Sequence, residues 1–324
     1  MKIKTLLSLP FSPARFKISD WDISTKQPFF NLDLTRNRYP NIALQLDGGG
    51  IKGLMVAYQL HVIQEKTGDI CRWVDHYYGT STGAILAASL AFGVSPKELL
   101  RFYVEEGPRI FKMRCLWGGF RGSIYNPRRL LSLMKKRFGD TTFQDLHQSR
   151  GKSLTIVSVE ATEQKVFFCN HQNTPKMRLV DAVMGSVSVP IIFPPHQSKE
   201  GIFYDGFLGG LGSCVEHAYE DLTIRKRWQK EKSILISFGT GATRPVLSIK
   251  EVKKMNKAEN LTWMLSGILE AMVTRQLESI ALRRKKSRFP FKRWDVVLPK
   301  ELELTDNEPG NIPSLLALVE KESR

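Results

Sequence analysis

Gly79-Thr80-Ser81-Thr82-Gly83 has the residue types of a nucleophile elbow. Ser81 would stand at the apex of a sharp turn between a strand and a helix, its hydroxyl clear of the sheet, with Gly79 and Gly83 leaving room for the two elements to approach each other. A serine held that way can attack a carbonyl carbon. Gly-x-Ser-x-Gly also occurs in ordinary turns, so its meaning depends on its surroundings. Upstream, Asp47-Gly48-Gly49-Gly50-Ile51-Lys52-Gly53 brings consecutive unblocked backbone N–H groups to a helix start, an arrangement that binds anions. The anion could be a phosphate or a transient oxyanion. A phosphate loop fails on spacing, because Gly53 is followed by Leu54-Met55 and not by Lys-Ser/Thr. Gly48, Gly50 and Gly53 do satisfy the dinucleotide pattern, but no acidic residue closes a second strand about twenty residues on. A transient oxyanion and a glycine turn without a ligand are the readings that remain.

Both motifs require a strand before them and a helix after. The apolar run at 41–46 is of strand length, and at 54–64 Leu54, Ala57, Leu60 and Ile63 share a helical face. An apolar, aromatic run from Val74 leads into the elbow, and Ala84, Ala87, Ala88, Ser89 and Ala91 make a helix that can pack tightly. Ser95-Pro96-Lys97-Glu98 opens another helix as a capping box, residues 114–125 read as a loop, and 126–138 as a basic helix. Residues 154–160 and 166–170 are apolar and β-branched, as strands are.

The two motifs, in this order and each between a strand and a helix, resemble the patatin-like phospholipase family, with its D-G-G-G-x-[RK]-G oxyanion loop and its G-x-S-x-G elbow. The resemblance extends over about residues 41–241. It includes a small-residue helix from Asp181 leading to Phe193-Pro194-Pro195, an aromatic strand ending at Asp205-Gly206, and a late strand ending in Gly239-Thr240-Gly241. The family places its catalytic aspartate at the position of Asp205, in Asp-Gly-Gly or Asp-Gly-Ala; here Phe207 is the third residue, a departure that bears on loop shape. The resemblance implies a three-layer α/β sandwich with a central, mostly parallel sheet flanked by helices. It also implies a Ser81–Asp205 dyad, with the N–H groups of Gly48, Gly49 and Gly50 around the oxyanion. Lys52 would fix the glycine loop or add positive potential, or else is a surface residue; Asp47 reads as structural. Of the six histidines none lies beyond His217, so a triad in the order Ser, Asp, His could be completed only by His217. A dyad fits better, provided that an apolar setting raises the aspartate's pKa.

The implied activity is phospholipase A-type hydrolysis of fatty-acyl esters through an acyl-enzyme, with no cofactor and no metal. A neutral-lipid or lysophospholipid hydrolase on the same scaffold is the near alternative. A non-enzymatic basic protein that binds membrane or nucleic acid is the distant one. The net charge of +16 suits an anionic partner, read as a membrane surface holding the phospholipid substrate; nucleic acid is the lesser expectation. These residues assign no oligomer, activator or regulatory ligand. Four widely spaced cysteines fit reduced thiols in a cytosolic protein, and no apolar run approaches the ~20 residues that span a bilayer, so the expected setting is cytoplasmic and peripheral at membranes. The first eleven residues only faintly imitate a secretion signal, which leaves open an export route that uses none. The expected organisation is an extension at 1–40, a catalytic core at 41–245, and a helical, basic region at 246–324. Within the last, residues 260–282 read as a helix packed on the domain in preference to a membrane anchor, and 283–294 either as a solvated charge run or as an interfacial patch whose Phe and Trp enter headgroups.

Overall fold

The computed structural model describes residues 23–24, 37–111, 123, 125–243, 249–254, 257–295 and 297–298. Most of the expected extension at 1–40, most of the loop at 114–125 and the chain past 298 fall outside the described residues.

The central strands Asn41–Leu46, His76–Thr80, Ser153–Glu160 and Ser233–Phe238 are short and buried along nearly their whole length, as strands of a sheet covered on both sides must be. In chain order the strands are β1 (Ile23–Ser24), β2 (Asn41–Leu46), β3 (His76–Thr80), β4 (Ser153–Glu160), β5 (Lys165–Cys169), β6 (His196–Gln197), β7 (Ile202–Asp205), β8 (Ser233–Phe238), β9 (Ala242–Thr243), β10 (Phe291–Trp294) and β11 (Val297–Leu298). Nine of them form one sheet in the order β1-β10-β8-β2-β3-β4-β7-β6, with β5 also on β4, while β9 and β11 pair apart. From β1 to β4 every pairing is parallel; β5 and β7 run antiparallel to β4. The helices used below are α1 (Gly53–Thr67), α2 (Thr82–Ala91), α3 (Pro96–Ile110), α4 (Pro127–Phe138), α5 (Leu179–Ser186), α6 (Val215–Glu220) and α7 (Lys257–Ser287). One core contains Leu44 and Leu46 together with side chains of α1 to α5, and the other contains Ala43 and Tyr78 with α6 and α7. The result is three layers, as expected, around a mixed, mostly parallel sheet.

Register brings the two ends of the candidate site together. On β4, residues 153–157 pair with β3 and 156–160 with β5, so those two strands must lie on opposite edges. β7 pairs with 158–160, where β5 already holds one edge, so it takes the edge that β3 leaves after Val157. Thr80 faces Val157 and Asp205 faces Ser158, one step further along the same edge. The residue after Thr80 is Ser81.

Past the expected core boundary, β10 adds to the sheet beside β8, with Phe291 opposite Leu235 and Trp294 opposite Phe238. Phe289, Phe291, Arg293 and Trp294 are buried. The interfacial reading of 283–294 is therefore corrected: its Phe and Trp side chains fill the protein's own interior, Trp294 against Phe238, and only cations such as Lys285, Lys286, Arg288 and Lys292 face outward.

Candidate active site

Ser81 sits between β3 and α2 with φ 57° and ψ −126°, a conformation that L side chains seldom adopt and that sharp strand-to-helix turns demand. The flanking glycines are required by close approach. A Cβ on Gly79 would lie 2.3 Å from the Gly83 carbonyl oxygen, and one on Gly83 would lie 2.1 Å from that of Leu46. Two further residues fasten the turn. The Ser81 N–H donates to Ser186 Oγ at 2.9 Å, and Ser186 Oγ donates to the Val157 carbonyl at 2.6 Å. Behind the turn, the hydroxyls of Thr82 and Tyr103 share a short hydrogen bond.

The glycine loop lies against the elbow: a Cβ on Gly48 would be 3.2 Å from that of Ser81. Of the three expected oxyanion donors, Gly48 is corrected. Its N–H already donates to the Gly212 carbonyl at 2.8 Å, which fixes the loop and removes that donor from the site. The N–H groups of Gly49 and Gly50 donate to no acceptor among the described residues. Gly49 has φ 154° and Gly50 φ 59°, and a Cβ on Gly49 would meet Thr240 Oγ1 at 2.2 Å, so glycine is needed there for conformation and space alike. Thr240 Oγ1 donates to the Gly48 carbonyl at 2.6 Å. Lys52 is not a surface residue. Only 4% exposed, it donates from Nζ to the Gly241 carbonyl at 3.1 Å, and burial lowers its pKa to about 8 against the opposing pull of Asp295, Glu270 and Asp47. It ties the start of α1 to the loop after β8.

Asp205 is fully buried at the end of β7. Its Oδ1 accepts the Phe207 N–H at 2.9 Å, while Oδ2 has no hydrogen-bond partner. Burial pushes its pKa up to about 7, opposed by the Phe207 N–H and by the neighbouring Ser81 hydroxyl. No hydrogen bond joins the Ser81 and Asp205 side chains among the described residues, and catalytic pairs often close only once substrate is bound. His217 is elsewhere. Its ring stacks on Phe168 at 3.6 Å and meets Tyr78 edge-on, within the core under α6, and no hydrogen bond links it to Ser81 or Asp205.

Sequence reasoning missed Ser186, Gly212 and Arg293. The last donates from Nη2 to Asp47 Oδ2 at 2.6 Å. Only Ser186 carried a signal, as a hydroxyl in a small-residue helix. Among the described residues no helix is long and apolar enough to cross a membrane, and no three His, Cys, Asp or Glu side chains could jointly hold a metal ion.

Comparison with known proteins places these features in one frame. The family model described as patatin-like phospholipase matches residues 44–209, a span that contains the glycine loop, the elbow and Asp205. Patatin group M-3 of Solanum tuberosum is 26% identical over 265 residues, covering 69% of this chain and 66% of the relative. Patatin-15 of the same plant is 27% identical over 269 residues, with the same shares. This chain therefore spans about two thirds of the length of these relatives. Among solved structures, VipD from Legionella pneumophila aligns over 88% of this chain and 67% of its own, at 15% identity and a TM-score of 0.44. ExoU of Pseudomonas aeruginosa, in complex with SpcU, aligns over 75% and 53%, at 18% identity and a TM-score of 0.38.

Proposed function

Because this chain belongs to the patatin-like phospholipase family, we propose that it is a lipid acyl hydrolase that cleaves fatty-acyl esters of phospholipids with Ser81 as nucleophile and Asp205 as base. The observation that carries the reading is the meeting of a strained elbow serine with a fully buried carboxylate that has one oxygen free and a pKa near 7. An ordinary aspartate, with a pKa of about 3.9, is too weak a base for a serine hydroxyl. Burial removes that handicap.

In the acylation step, Ser81 Oγ attacks the ester carbonyl carbon while its proton passes to Asp205. The carbonyl π electrons move onto oxygen, and the resulting oxyanion accepts hydrogen bonds from the N–H groups of Gly49 and Gly50, near the start of α1. Collapse of the tetrahedral adduct breaks the ester C–O bond, and the protonated Asp205 returns the proton to the leaving lysophospholipid alkoxide. Water then attacks the acyl-Ser81 ester, again giving its proton to Asp205, and the fatty acid departs as Ser81 recovers its hydrogen. General-base assistance contributes about 10²–10⁴-fold, and each oxyanion donor about 3 kcal/mol. Lys52 and Gly48 serve the geometry: one holds the loop after β8, the other anchors the glycine turn to Gly212.

The substrate surface is an anionic bilayer, which the net charge of +16 favours. The test is release of fatty acid from phosphatidylglycerol and phosphatidylcholine vesicles by wild type, Ser81→Ala and Asp205→Asn, with a fluorophosphonate probe reporting on Ser81. Both variants should fold and lose activity, and only proteins with Ser81 should be labelled. Undiminished hydrolysis by either variant overturns the dyad.

A further inference from the structure

Asp47, the first residue of the glycine loop, is a carboxylate with 3% exposure. A lone charge there would be costly, and the structure does not leave it alone. Its Oδ1 accepts from Gln45 Nε2 at 2.8 Å, and its Oδ2 accepts from Arg293 Nη2 at 2.6 Å. Arg293 Nη1 donates to Ser237 Oγ at 2.7 Å, and Ser237 Oγ donates to Gln45 Oε1 at 2.5 Å. Arg293, Asp47, Gln45 and Ser237 thus form a closed ring of hydrogen bonds across β10, β8 and β2. The same Nη2 also donates to Asp295 Oδ2 at 2.7 Å, and Asp295 Oδ1 accepts the Gly241 N–H at 3.0 Å. Gly241 in turn holds Lys52, and its neighbour Thr240 holds the Gly48 carbonyl. From one guanidinium, hydrogen bonds reach both the start of the glycine loop and the segment that braces its middle.

We propose that Arg293 is a positioning residue of the acyl-transfer site: its fork, spread between Asp47 and Asp295, sets where the Gly49 and Gly50 N–H groups point. This rests on the hydrolase reading above. Stability alone is a poor reason for the arrangement, because buried ion pairs are often replaceable by apolar residues without loss. Geometry is a better one. A guanidinium holds two carboxylates and a hydroxyl at fixed angles, which neither lysine nor an apolar side chain can do. The residue lies on β10, beyond the 44–209 span of the family match, so the part of the chain that completes the loop is not the part that carries the motifs.

The test uses the full chain and the double variant Asp47→Asn/Arg293→Met, which removes both charges so that neither is left buried alone. On a soluble p-nitrophenyl ester, kcat should fall about 10²-fold, with KM changed by less than about 3-fold. The backbone amides of Asp47 and Gly48 should exchange at least about tenfold faster, with the amides of β3 and β4 unchanged. Arg293→Lys, which keeps the charge and loses the fork, should recover part of kcat. A folded double variant with wild-type kcat and wild-type exchange at Asp47 and Gly48 overturns the proposal. If the double variant does not fold, a fully active Arg293→Lys overturns it instead. Failure of the hydrolase reading looks different: wild type then neither turns over ester nor takes the fluorophosphonate at Ser81, and the exchange comparison still decides the role of Arg293.

Discussion

The backbone N–H of Ser81 donates to the hydroxyl of Ser186, 105 residues away in the chain, and that hydroxyl donates to Val157 on the strand beside the elbow. One small side chain satisfies a turn that has no side-chain cap of its own. Ser186→Ala should therefore cost about 1–3 kcal/mol, because it leaves a sequestered N–H and a buried carbonyl unpaired, and should slow acylation about tenfold. Urea melts and the rate of fluorophosphonate labelling measure the two effects. A variant as stable and as reactive as wild type would show that the elbow needs no such fastening.

Asp205 gives the enzyme a pH signature. The base must be ionised, so kcat should rise with pH through about 7 and level off above it. Stability moves the other way. The folded pKa lies above the unfolded one, so the neutral carboxyl favours the folded state fully below about pH 4, and this contribution is lost as pH climbs through about 7. At pH 8 the buried charge costs up to about 4 kcal/mol. Asp205→Asn should accordingly melt higher than wild type at pH 8 and nearly level with it at pH 4, which scanning calorimetry at the two pH values will show.

His217 carries the opposite dependence. Burial, with Arg225 nearby, lowers its pKa to about 4, and burial also holds His76 well below the ordinary value. Stability from a neutral histidine of this kind is fully present above about pH 6.5 and is lost as pH falls through 4, roughly 3 kcal/mol from His217 alone. His217→Gln should keep kcat, since the ring touches Phe168 and Tyr78 and not Ser81, and should move the acid-unfolding midpoint to lower pH. An inactive but folded His217→Gln would bring the triad back.

Gly83→Ala should fail for steric reasons alone. The added carbon would sit 2.1 Å from one backbone oxygen and 2.8 Å from another, at Leu46 and Asp47, and backbone cannot swing aside as a side chain can. A loss above about 3 kcal/mol, seen as insoluble expression or a collapsed melting transition, is the expected outcome.

What could be read from the sequence was what is local. The elbow, the glycine loop and the capping box at Ser95 are each complete within seven residues, and backbone sterics or a cap hydrogen bond fixes their form. Asp205 was reached through resemblance, since no pattern of period or spacing singles out one acid after a short strand. The use of the Gly48 N–H by Gly212 was hidden, because the acceptor is far along the chain and belongs to a loop without a motif. The stretch Phe291-Lys292-Arg293-Trp294 misled for a physical reason. Two adjacent cations look solvated, yet Lys292 alone faces outward while Arg293 turns in to two carboxylates. A charge inside can be told from a charge outside only when its partner is known.

The bond between Asp47 and Arg293 spans 246 residues, and this separation is also a statement about time. A nascent chain emerges from its N-terminal side, so the glycine loop and the elbow leave the ribosome long before the arginine that steadies them has been translated. Until then Asp47 waits without its counter-ion and β8 has an unpaired edge, and the loop is held only by Gly212, Thr240 and the bond from Lys52 to Gly241. The hydrogen-bond network around the glycine loop is therefore finished only once β10 has been made, late in the synthesis of the chain.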